Sequence, residues 1–284
     1  MDSPVRTCRL DSFMSTSQPL LPRAARKLKR IAYYPLDAYD LAVGNRPPDK
    51  LIFVGDGSWR AVGNEFLHYF KSLGLLQPVH RVLDVGSGIG RMAAPLTRYL
   101  ARNGSYTGFD IIKGGVEWCQ ANITPRHPNF TFFHSDVFNQ HYNASGTVHA
   151  SEYVFPFRTG TFDFVFLTSV FTHMTPPDME HYLSEVARVM KPGGRCLLTF
   201  FLINSESSKG IQTGRSAFPF TRLSPSHYTA FPDDPEAAMA FDEDHVRNLL
   251  ETRRLAMDTG IRYGSWSGRK KYLSFQDIVV AVKR

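Results

Sequence analysis

The sequence predicts an α/β fold, a Rossmann-like doubly wound sheet that is mostly parallel, over residues 79–284. Two observations carry that prediction. From residue 80 onward short apolar runs alternate with segments of helical period, the pattern of parallel strands joined by helical crossovers. One of those runs, Val82-Leu83-Asp84-Val85, ends in an acid and passes into Gly86-Ser87-Gly88-Ile89-Gly90, a strand-to-helix turn with glycine at every second position. At 284 residues and 43% hydrophobic, the chain has material for one large, well-buried domain with additions.

Residues 1–30 read as a disordered basic tail. They hold seven Arg or Lys against two Asp, so +5 of the net +7 sits there and only +2 is spread over the rest. Residues 31–78 read as an N-terminal helical extension or cap, opened by Tyr33, Tyr34 and Tyr39. Within it residues 63–75 are helix-like, with Phe66, Leu67 and Phe70 on one side and Gly74 near the stop. Strands are expected at 81–85, 106–110, 130–134, 162–167 and 195–202. Between the fourth and fifth, Pro176-Pro177 opens a helix with Met179, Tyr182, Leu183, Val186, Val189 and Met190 on one face, stopped by Pro192-Gly193-Gly194. Residues 138–160 and 204–241 are too long for simple connectors and read as insertions that cap a substrate. After a helix at 242–254, residues 259–266 and 275–282 read as a closing pair of strands around Ser267-Gly268-Arg269-Lys270.

Composition excludes several classes. No apolar run approaches the roughly 18 residues of a membrane helix, and the amino terminus lacks the apolar core of a secretory signal, which makes cytoplasmic residence the expectation. Cys8, Cys119 and Cys196 are three and far apart, neither a disulfide framework nor a metal-ligand spacing, so no metal is expected. A nearly neutral region after residue 30 disfavours nucleic acid as a partner.

Glycine at 86, 88 and 90 lets the backbone approach a ligand closely, and the helix that follows would offer free N–H groups to an anionic group. The same turn also serves as a plain strand-to-helix connection. Gly88-Ile89-Gly90-Arg91-Met92-Ala93 satisfies the dinucleotide fingerprint as well, so glycine spacing alone does not choose the ligand. Asp110, at the end of the second strand, is placed to accept from ribose hydroxyls under either reading, or to cap the helix expected at 113–121.

With these residues the chain resembles the class I S-adenosylmethionine-dependent methyltransferases, in their broad small-molecule methyltransferase-domain subgroup. The resemblance runs from about residue 79 to 203 and rests on five motifs in order: Leu83 to Gly90, Phe109-Asp110-Ile111, Ser135-Asp136-Val137, Phe162 to Leu167 through His173, and Glu185 to Gly194 before a strand. It implies the family's seven-stranded sheet with an antiparallel last strand. It implies S-adenosyl-L-methionine as cofactor and S-adenosyl-L-homocysteine as product. Gly86, Gly88 and Gly90 would line the methionine end, Asp84 would help hold the ammonium side, and Asp110 would hold the ribose. Ile111 would lie on the adenine face, Asp136 would accept from the adenine amino group with Val137 beside it, and Leu167 and Thr168 would flank the sulfonium.

Attack on a sulfonium methyl brings its own leaving group, so such a site must position, exclude water and, for a hydroxyl acceptor, take a proton. His173, just beyond the fourth strand, is the candidate base, with a structural role as the alternative. Trp59, Arg60, His68, His227 and Tyr228 are weaker candidates for lining an acceptor pocket. Leu167-Thr168-Ser169-Val170 replaces the Asn-Pro-Pro-Tyr-like segment of adenine and glutamine methylases, and no cysteine lies nearby for attack on a pyrimidine ring. The expected activity is methyl transfer to an oxygen or nitrogen of a small-molecule acceptor. The rival readings are a macromolecular acceptor recruited through the basic tail, a nicotinamide-dependent oxidoreductase, and a non-enzymatic scaffold.

Overall fold

The computed structural model describes residues 38–40, 46–52 and 58–284. The tail expected over residues 1–30, with Tyr33 and Tyr34, lies outside the described residues. Tyr39 is exposed rather than the start of a packed element.

In chain order the elements are α1 (Trp59–Ser72), β1 (Arg81–Val85), α2 (Ala93–Leu96), β2 (Ser105–Asp110), α3 (Lys113–Asn122), β3 (Phe130–His134), β4 (Val137–Phe138) and β5 (Val148–His149). They continue with β6 (Phe162–Leu167), α4 (Pro176–Val189), β7 (Met190–Phe200), β8 (Leu202–Ile203), α5 (Ser205–Gln212), β9 (Thr221–Arg222) and β10 (His227–Thr229). The last are β11 (Met239–Asp242), α6 (Glu243–Thr252), β12 (Leu255–Met257) and β13 (Asp277–Lys283). Seven strands form the main sheet in the order β12-β13-β7-β6-β1-β2-β3. β1, β2, β3, β6 and β7 are mutually parallel, and β13 runs antiparallel to both β7 and β12. This is the doubly wound, seven-stranded class I arrangement with its last strand reversed.

Two faces exist because strand residues alternate. On β6, Phe164 and Phe166 enter the cluster with α1, α2 and α3, while Val165 and Leu167 enter the one with α4 and α6. Phe70 of α1 packs its ring 4.3 Å from Phe166 and 5.5 Å from Phe164. Each such fully buried side chain stabilises the fold by about 1.5–3 kcal/mol. α1 begins four residues before the expected start, because the Ser58 hydroxyl accepts the Ala61 N–H at 3.3 Å and caps it.

Four expectations need correction. The helix after the glycine turn is only the four residues of α2, Ala93–Leu96. Pro192-Gly193-Gly194 does not end α4, which stops at Val189; it forms a bulge in β7, where Phe162 pairs with Met190 but Phe164 pairs with Arg195. The strand expected at 195–202 leaves the main sheet after Phe200 and resumes as β8 in a second sheet. Residues 259–266 hold only a single bridge, Arg262 to Ile278, and the place beside β13 goes to β12. The turn out of α6 explains this: Arg254 adopts φ 57°, which sends the chain directly from helix into strand.

Both insertions are ordered. Residues 138–160 carry the β4–β5 pair and place Phe155 in the core. Residues 204–241 supply most of a four-stranded sheet in the order β8-β11-β10-β9, with its own core of Phe201, Ile203, Phe220 and Trp266. Among the described residues no helix is long and apolar enough to cross a membrane.

Candidate functional site

Gly86, Gly88 and Gly90 take φ of 79°, 54° and 82°, the left-handed region that glycine enters without cost. A Cβ at Gly86 would lie 2.4 Å from Val170 Cγ2, and one at Gly90 2.8 Å from Cys119 Sγ. Close packing of the protein on itself thus already requires two of the three glycines. The turn's amides are also engaged. Gly86 and Ser87 both donate to the Phe109 carbonyl at 2.9 and 3.0 Å, Gly90 donates to the Ser87 carbonyl at 3.0 Å, and Gly88 donates to an Asp110 carboxylate oxygen at 2.6 Å. These four amides are thus bonded within the protein.

The turn joins two buried acids. Asp110 accepts from Gly88 with one oxygen and from the Ile112 N–H at 2.8 Å with the other, so it fixes the turn and the entry to α3 without being the helix cap, which is Ile112. Burial raises its carboxyl, against the lowering effect of those amides. Asp84 is fully buried, and one oxygen accepts from the Tyr106 hydroxyl at 2.5 Å. Its other oxygen, Oδ1, has no partner, nor has the buried Ser87 hydroxyl. Burial pushes the Asp84 carboxyl well up. Two orphaned oxygens beside the turn are costly unless a donor such as an ammonium or hydroxyl fills the place, and the methionine and ribose ends of S-adenosylmethionine offer those donors.

The remaining expected residues gather along the same strand ends, the place where open α/β sheets bind ligands. Ile111 is half-buried against the core and Val137 is buried in it. Asp136 is exposed, and the Thr147 hydroxyl, 2.7 Å from one oxygen, holds its carboxyl below the usual range. Leu167 is fully buried, Thr168 half-buried, and the next residue, Ser169, turns at φ 58° with its N–H on Thr199 Oγ1 at 2.8 Å.

Beyond β6 stands a cluster the sequence reading named only in part. The His173 Nδ1 lies 2.8 Å from the Glu236 carbonyl, which makes Nδ1 the protonated nitrogen and leaves the Nε2 lone pair facing the Tyr142 hydroxyl at 3.5 Å. Burial pushes the His173 imidazole down to about 4. The parallel ring of His141 lies 6.4 Å away, with its Nδ1 2.7 Å from an Asp234 carboxylate oxygen. Burial, and then the charges of Asp110 and Asp234, push the Tyr142 phenol up to about 12. His141, Tyr142, Asp234 and Glu236 were missed; the one signal was the His-Tyr pair inside an over-long connector.

The weaker candidates are placed elsewhere. Arg60 is held in a double hydrogen bond to Asp40 at 2.7 and 2.6 Å, Trp59 is buried, His68 is exposed on α1, His227 bonds Ser224, and Tyr228 lies under Arg222. Among the described residues no group of three or more His, Cys, Asp or Glu could hold a metal ion.

Residues 83–198 match the family model described as a methyltransferase domain. Over that stretch the chain is similar to the class I S-adenosylmethionine-dependent methyltransferases. The chain is 35% identical over 121 residues to phthiotriol/phenolphthiotriol dimycocerosates methyltransferase 1 of Mycobacterium ulcerans, a match covering 42% of this chain and 36% of that one. The chain spans about a third of the length of the curated relatives it matches. In three dimensions it is similar to the 1,6-didemethyltoxoflavin-N1-methyltransferase of Burkholderia thailandensis, solved with its substrate and S-adenosylhomocysteine (TM-score 0.50, 17% identity, 94% of this chain and 93% of that one). It is equally similar to the cyclase SpnF (TM-score 0.53, 15% identity, 81% and 84%). These likenesses show the methyltransferase fold, and the cyclase illustrates that the fold alone does not choose a reaction.

Proposed function

We propose that the chain is a methyltransferase that uses S-adenosyl-L-methionine to methylate an oxygen or nitrogen of a small-molecule acceptor in the cytoplasm. The observation that carries this reading is the pair of buried acids at the ends of β1 and β2, one with an orphaned oxygen, around the glycine turn. When bound, S-adenosylmethionine supplies a methyl group on a sulfonium, which needs no metal to leave. Asp110 would accept from the ribose hydroxyls while holding the turn, and Asp84 Oδ1 with Ser87 Oγ would face the ammonium side. Gly86, Gly88 and Gly90 would line the methionine end, and Ile111 and Val137 would bound the adenine, with the exposed Asp136 accepting from its amino group. Leu167 and Thr168 would flank the methyl.

The two imidazoles carry the proton chemistry of this reading. His173 stays neutral down to about pH 4 and keeps Nε2 unprotonated, toward the Tyr142 hydroxyl. His141 is oriented by Asp234, the arrangement in which a carboxylate fixes the tautomer of a base. For a hydroxyl acceptor, replacing both would lower kcat roughly 100-fold or more, with cofactor affinity unchanged.

The two insertions, residues 138–160 and 204–241, would enclose the acceptor, with residues 31–78 as an accessory helical segment. The test is transfer from methyl-labelled S-adenosylmethionine into separated small-molecule and macromolecular fractions. Label in the small-molecule fraction supports the reading. Label in protein or RNA, abolished by deleting residues 1–30, would replace it with the tail-recruited acceptor.

A further inference from the structure

An open cavity of about 580 Å³ lies away from the glycine turn, between the start of α5 and the loop before β13. Four cations line it, Arg215, Arg269, Lys270 and Lys271, against the one acid Glu206. Glu206 is already paired with Arg269. Among the described residues Arg215, Lys270 and Lys271 have no carboxylate partner, and all three are exposed. Arg269 is different: its side chain is 8% exposed and its guanidinium lies 4.0 Å from the Tyr263 ring centroid. It donates to Asn204 Oδ1 at 2.9 Å, while its Nε is buried with no partner.

The wall is rigidly built. The Asp277 carboxylate is buried and accepts from the Leu202 N–H at 2.8 Å, the Gly264 N–H at 2.7 Å and the Trp266 indole at 2.8 Å. A Cβ at Gly268 would meet the Arg215 carbonyl at 2.6 Å, so the Arg269 loop is seated on the Arg215 backbone. Three cations without a carboxylate partner around the Arg269–Glu206 pair repel one another and attract an anion. Guanidinium groups pair bidentately with phosphate as with carboxylate, and four cations against one acid favour the doubly charged oxyanion.

We propose that this cavity binds the phosphate group of a phosphate monoester. Its place gives it a role. Asp277 pairs with Phe200 at the same sheet end as Leu167, and the Ser169 hydroxyl after β6 donates to Gln276 Oε1 at 3.2 Å. A phosphate seated here would anchor the far end of an acceptor whose reacting atom reaches the methyl site; that role rests on the methyl-transfer reading, while the binding does not.

The experiment is calorimetric titration of the full chain with glycerol 3-phosphate, inorganic phosphate and glycerol at constant ionic strength, repeated on K270A/K271A, with S-adenosylhomocysteine titrated in parallel. The expected result is binding of glycerol 3-phosphate but not glycerol, weakened at least tenfold in the variant, with S-adenosylhomocysteine affinity unchanged. Inorganic phosphate binding with the same dependence on the lysines would support the oxyanion site and mark the phosphate itself as the recognised group. No binding of either phosphate, or binding indifferent to both lysines, would overturn the proposal. Loss of S-adenosylhomocysteine binding alone would instead overturn the methyl-transfer reading and leave the cavity's assignment standing.

Discussion

The half of the main sheet from β1 to β3 and the region built from residues 138–160, 204–241 and 263–277 are ordered in opposite ways. In the first, the residues that matter are neighbours in sequence: Asp84 and Gly86 to Gly90 form one turn, and the Asp110 carboxylate that holds Gly88 lies one strand away. In the second, His141 meets Asp234 and Leu202 meets Asp277, contacts spanning 93 and 75 positions. The geometry of the glycine turn is therefore a local property of the backbone, while the contacts of the second region exist only once the chain has folded.

The largest test of that separation is Asp277→Ala. It strands three buried donors, Leu202 N–H, Gly264 N–H and the Trp266 indole, and should cost about 4 kcal/mol in chemical denaturation, with S-adenosylhomocysteine affinity retained at low temperature. A loss of cofactor affinity as large as the loss of stability would join the two regions into one unit.

A smaller effect is expected between them, at His173. Its imidazole is pushed by burial from the ordinary 6.5 down to about 4. Above pH 6.5 neither state is protonated; between 6.5 and 4 only the unfolded chain takes the proton, so stability falls as pH falls, by at most about 3 kcal/mol. Denaturation against pH should show that decline reduced in His173→Asn. The opposite contribution of Asp277, whose carboxyl burial pushes up to about 6, is common to both proteins and cancels. Equal slopes would remove His173 from the buried cluster.

Smallest in stability is Gly86→Ala, at about 2 kcal/mol for a side chain at φ 79° pressed on Val170. It should nevertheless abolish S-adenosylhomocysteine binding in calorimetry and leave phosphate binding at the Arg269 cavity intact. Normal cofactor binding in this variant would mean the turn is only a connection.

What the sequence made legible follows the same division. β1, β3 and β6 begin and end at the expected residues, because apolar strands of a buried parallel sheet carry unbroken local runs. The glycines and both acids were readable, since left-handed φ values and strand-end carboxylates are chemical demands on single positions. Their hydrogen bonds were not: that the turn's amides are spent on Phe109 and Asp110 depends on how β1 and β2 lie together. The closing strand was misplaced by a few residues because periodicity at 259–266 gave no sign that Arg254 would turn the chain into β12 first. His141 with Asp234 and the cations around Arg269 carry no spacing to read, since their partners arrive from distant loops.

The central claim is that the acids at the ends of β1 and β2 bind S-adenosylmethionine. Calorimetric titration with S-adenosylhomocysteine, S-adenosylmethionine and NADH, on the full chain and on Asp110→Asn, tests it most directly. The account predicts that both adenosyl compounds bind, that NADH does not, and that the substitution weakens the first two; NADH binding alone, or adenosyl binding indifferent to Asp110, would contradict it.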